Sequence, residues 1–172
     1  MKNNIWNILL YALVFILQVL ICNYLDVGAY IYICLIPLLI LGIPLKTNIN
    51  ITILAGFGTG LLLDVFSGGV LGLNAAAATM VAAFKGIIYD KLINRDHRYN
   101  TETPSISSIG LESYLLYLTV CTLIYLLIYT FLECLGVRPF FFILFRIILS
   151  LIIDVALAVI ISNSILDKDS SN

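Results

Sequence analysis

Of the 172 residues, 62% are A, V, I, L, M, F, W, Y or C and only 11% are charged, against about 25% charged in an ordinary soluble domain. Too few polar side chains remain to cover a water-facing surface, which excludes a cytosolic enzyme or a nucleic-acid-binding domain and assigns the chain to a bilayer. The net charge of −1 also argues against recognising a polyanion through bulk charge.

A spanning helix needs about 20 mostly apolar residues, and six stretches satisfy this: 5–23, 29–45, 49–66, 70–89, 111–134 and 139–163. The first follows Lys2 but lacks an A-x-A-like cleavage site, and Ile21 before Cys22 is too bulky for lipoprotein processing, so it reads as a retained span. Pro37 lies inside the second and predicts a kink, or a break whose freed backbone groups find partners within the bundle. Gly68-Gly69 separates the third span from the fourth. Pro139, after Gly136, suits the first turn of the last. The long polar segment 90–110 has too few apolar residues for a core and reads as a loop. Strands are excluded because 111–132 and 139–162 are apolar on every side, whereas a barrel alternates.

Lys and Arg in the short loops set the orientation. With the N-terminus inside, Lys2, Lys46, Lys91, Arg95, Arg98 and Lys168 are cytoplasmic and only Arg138 is external. The expectation is an all-α integral membrane protein of one six-helix domain with both termini and the 90–110 loop cytoplasmic. The four cysteines, Cys22, Cys34, Cys121 and Cys134, have no metal-ligand spacing and read as small hydrophobes.

Ionisable groups inside spans cost about 2.5–3.5 kcal/mol each on insertion scales, which singles out Asp64, Lys85, Arg146 and Asp154. At about 1.5 Å per residue, Asp64 and Arg146 share the outer third of the membrane, and Lys85 and Asp154 the inner third. Two opposite-charge pairs are therefore expected, serving either function or only helix cohesion, with Lys85 also able to snorkel to the headgroups. An intramembrane aspartyl protease is disfavoured, since Asp64 and Asp154 lie about 14 Å apart along the membrane normal and no G-x-G-D precedes either. Gly56, Gly60 and Asp64 follow at i+4 steps, and Ala75, Ala78, Ala82 and Gly86 form a small-residue face on the next span. These faces predict close helix packing.

The run 56–74, GFGTGLLLDVFSGGVLGLN, adds a further signal. Its G-L-L-L-D helix end at Asp64, its S-G-G turn at Gly68 and Gly69, and its G-L-N-A start at Gly72 and Asn74 resemble the signature of the rod-shape-determining MreD family. The length, the Pro37-containing second span and the short tail are similar to that family along the whole chain, although the 90–110 loop is longer than its compact pattern. The resemblance implies a bundle similar to the S components of energy-coupling-factor transporters. It also implies a non-enzymatic scaffold of the bacterial inner membrane that binds MreC and acts with MreB, RodA and its transpeptidase in lateral wall synthesis. No cofactor, metal or nucleic acid is implied; membrane lipid is. The alternative is a small-solute-binding transporter subunit, suggested by polar groups at Asp64, Asn74 and Arg146. Partner-binding or structural candidates are then Gly56, Gly60, Asp64, Gly68, Gly69, Gly72, Asn74, Lys85, Arg146 and Asp154.

Overall fold

The computed structural model describes residues 2–25, 28, 30–93, 104, 109–134 and 138–166. Six helices follow in chain order: α1 (Lys2–Tyr24), α2 (Ile36–Leu41), α3 (Ile49–Phe66), α4 (Leu73–Leu92), α5 (Leu111–Cys134) and α6 (Phe140–Leu166). Three of them, α3, α5 and α6, are each long and apolar enough to cross a membrane. The protein is thus all-helical and of multi-pass membrane type. Most of the expected 90–110 loop lies outside the described residues.

The expected second span, 29–45, is not a spanning helix. Its helical part is the six-residue α2, which Pro37 opens, and the backbone of residues 31–35 before it is non-helical. Proline restricts the residue before it and lacks an N–H, so it begins a helix more readily than it interrupts one. Gly42 and Pro44 end α2 within a turn. The short helix sits inside the bundle, packed on α1, α3, α4 and α5, with Ile36, Leu39, Ile40 and Leu41 buried.

Around it, α3 and α4 form a tight hairpin, α4 packs on α5, and α5 on α6. The α3–α4 packing follows the small-residue faces. A Cβ added at Gly60 would meet the Asn74 carbonyl oxygen at 2.5 Å and Ala75 Cα at 2.6 Å, and one at Gly56 would meet Ala82 Cβ at 2.8 Å. Only hydrogen fits there, so backbone touches backbone. The neighbouring side of α4, with Ala77 and Val81, joins Leu63, Ile40, Tyr117, Leu118, Cys121 and Tyr125 in the main core. Tyr114, Tyr117, Cys121, Tyr125 and Tyr129 recur every three or four residues on the buried face of α5. The four cysteines are free, as expected of small apolar fillers.

Candidate functional site

At the α3–α4 turn, helix α4 begins at Gly72, whose φ of +99° suits a residue without a Cβ and which has no side chain to cap the helix. The first amides of a helix need partners. Asp64, near the end of α3, provides them: Oδ2 accepts from Gly72 N at 2.8 Å and Ala75 N at 3.2 Å, and Oδ1 from Asn74 N at 3.1 Å and Asn74 Nδ2 at 2.9 Å. A carboxylate has about four acceptor positions, and these four bonds fill them. The negative charge also lies at the positive end of the α4 dipole, which explains how a carboxylate 1% exposed is tolerated with no cation against it among the described residues. Gly68, with φ of +63°, and Gly69 complete the turn that brings Asp64 back onto α4.

Asn74 extends the network across the bundle. Its Oδ1 accepts from Tyr32 Oη at 2.6 Å and from Tyr125 Oη, while Tyr129 stacks between these tyrosines, 4.0 Å from the Tyr32 ring and 6.3 Å from that of Tyr125. Beside this ladder lies a cavity of about 210 Å³ lined by Tyr32, Asp64, Ser67, Asn74 and Tyr129 among apolar side chains.

A second polar group holds the non-helical segment before α2. Amides at alternate positions point the same way: Tyr32 N donates to Ser150 Oγ at 2.9 Å and Cys34 N to Asp154 Oδ1 at 2.9 Å, both on α6. On the other side, Gln18 of α1 donates from Nε2 to the Ile33 carbonyl at 3.0 Å and accepts on Oε1 from Leu35 N at 2.7 Å. The spacing matches because two residues of strand-like backbone advance about 6.6 Å and four residues of helix about 6 Å. Side chains thus replace the neighbours a strand would have. At the far end of α2, Lys85 Nζ donates to the carbonyls of Ile43 at 2.8 Å and Ile40 at 3.2 Å, and Tyr11 Oη to that of Gly42 at 2.5 Å. The break at Pro37 therefore finds its partners within the bundle, as the sequence implied.

The expected ion pairs are corrected by this geometry. Asp64 does not pair with Arg146, because amides occupy it; Arg146 bridges Glu133 of α5 at 2.8 Å instead. Residue 133 lies one residue from the end of α5 and residue 146 six from the start of α6, an offset of about 7.5 Å along the two packed helices that the two long side chains span. Lys85 and Asp154 do not pair either. They serve opposite ends of the α2 region, the carboxylate on the amide side and the ammonium on the carbonyl side, as the helix dipole favours. Depth along a span carries no information on which way around the bundle a side chain points.

Gln18, Tyr32, Tyr125, Glu133 and Ser150 were not singled out from the sequence. A usable signal existed for Ser150, since Arg146, Ser150 and Asp154 lie at i+4 steps and are the polar residues of the stretch 140–161 of α6, and all three are buried. Among the described residues no group of three or more His, Cys, Asp or Glu is placed to hold a metal.

The fold and these networks define a multi-pass helical membrane protein whose buried polar side chains are spent largely on its own backbone. Comparisons with protein-family models, curated proteins and solved structures each returned no match.

Proposed function

We propose that the chain is a non-enzymatic membrane scaffold of the MreD type. It crosses the bacterial inner membrane with both termini in the cytoplasm, binds MreC, and supports MreB, RodA and its transpeptidase in lateral wall synthesis. In this reading α1 and the broken second segment join α3–α6 in a bundle similar to transporter S components. The observation that carries the reading is the saturation of Asp64. The residues of the G-L-L-L-D, S-G-G and G-L-N-A run close on each other and leave the aspartate no acceptor position for a ligand, which suits a rigid framework better than a binding site.

A pull-down of the tagged chain from native membranes, read by mass spectrometry, tests it: the expected result is enrichment of MreC and other elongation proteins, with rounding of rod-shaped cells on depletion. Recovery of energy-coupling transporter subunits would overturn it. The cavity beside Tyr32 and Asn74 favours the second reading, a small-solute-binding subunit, which requires a solute that raises the thermal stability of the purified chain.

A further inference from the structure

At the Pro139 end of α6, Tyr30, Phe141, Phe142, Leu144, Phe145 and Ile148 enclose an apolar groove of about 520 Å³ on the outside of the bundle. Ring contacts join its wall: Tyr30 packs 5.1 Å from Phe142 and 6.3 Å from Phe145, centroid to centroid. Arg138 stands at the mouth with its guanidinium 5.0 Å from the Phe142 centroid. The acid closest to it in the same hairpin, Glu133, is held by Arg146, and among the described residues no carboxylate pairs with Arg138. Arg138 is exposed.

We propose that this groove holds one phospholipid with an anionic headgroup, the phosphate on Arg138 and one acyl chain along Phe141, Phe145 and Ile148. A guanidinium matches phosphate with two parallel hydrogen bonds, and the aromatic face beneath it fixes its position. From Phe140 to Ile148 the helix descends about 12 Å, close to the hydrocarbon depth of one leaflet, about 15 Å. A partner helix fits poorly. One turn of helix of 10–12 Å diameter fills roughly 400–600 Å³, so the groove holds about a single turn, and its bulky lining lacks the small residues that let helices approach in lipid. An anionic headgroup is favoured over a zwitterionic one because the latter brings its own ammonium to Arg138, which no carboxylate among the described residues neutralises.

The test uses the full chain in detergent, titrated with phosphatidylglycerol or phosphatidylethanolamine of identical acyl chains, with bound lipid counted by native mass spectrometry. One phosphatidylglycerol per chain is expected to be retained in preference to phosphatidylethanolamine. Arg138→Glu should lower that retention about fivefold or more, the effect of one basic side chain at an anionic surface, while Arg138→Lys keeps most of it. Ile148→Trp, which fills the groove, should lower retention of both lipids. Both positions lie on the outside of the bundle, so the thermal unfolding temperature should stay unchanged. Equal retention of the two lipids, or indifference to Arg138→Glu, overturns the proposal. So does displacement by glycerol phosphate alone, or a co-purifying single-span protein lost on Ile148→Trp while lipid retention persists.

Discussion

The α3–α4 hairpin and the segment around α2 solve the same problem in opposite ways. Both contain helix ends inside the bundle whose backbone groups need partners. In the hairpin the partners are local: Asp64 reaches amides 8, 10 and 11 residues away, and glycine opposite alanine lets the helices close. Around α2 the partners are remote: Cys34 meets Asp154 across 120 residues, Tyr32 meets Ser150 across 118, and Lys85 reaches back 45 to Ile40. Short loops close at smaller entropic cost than long ones. The hairpin can thus form early and alone, while the α2 region takes its shape only when α1, α4 and α6 surround it.

The strongest way to break this contrast is at its local end. Asp64→Leu strands two buried amides, the half-buried Gly72 amide and the Asn74 side chain, and at about 1–3 kcal/mol for each buried unsatisfied group it should destabilise by at least about 3 kcal/mol. Loss of accumulation and a lower unfolding temperature in detergent are expected; an unchanged temperature would mean that the cap is not needed. Next, Gly60→Leu should cost about 1–3 kcal/mol by overpacking, because the new atoms meet backbone that cannot rotate away. Gly58→Ala, where a Cβ meets nothing within 4 Å, is the neutral control.

The remote end should respond more gradually. Gln18→Leu leaves the Leu35 amide and the Ile33 carbonyl unpaired, for an expected loss of about 2 kcal/mol, and Ser150→Ala frees only the Tyr32 amide, for about 1 kcal/mol. The two hold one segment, so their effects should be non-additive. Hydrogen exchange should rise at residues 31–36 and stay unchanged in α4; a parallel rise in α4 would show the two regions to be one cooperative unit. Smallest, a double-mutant cycle should couple Arg146 with Glu133 by about 0.5–1 kcal/mol, whereas Asp64 with Arg146 should add to within about 0.5 kcal/mol. Coupling of Asp64 to Arg146 instead would restore the pair that the structure replaces.

Composition and hydropathy alone determined that the chain is helical and belongs in a membrane, since a segment in lipid must satisfy its backbone within itself. They also placed α3 and α5 to the residue and located the Gly56, Gly60 and Asp64 face against the alanines of α4, because helical spacing projects directly onto packing. Pro37 marked the break but not its extent. What only the tertiary structure decided was which groups meet: Asp64 with the amides of α4, Lys85 and Asp154 with opposite ends of the α2 region, Arg146 with Glu133. Sequence position gives a side chain its depth and its face on one helix. Its partner depends on how six helices are arranged about each other, and for a buried charge a backbone amide or carbonyl competes on equal terms with an opposite charge while leaving no signal of its own in the sequence.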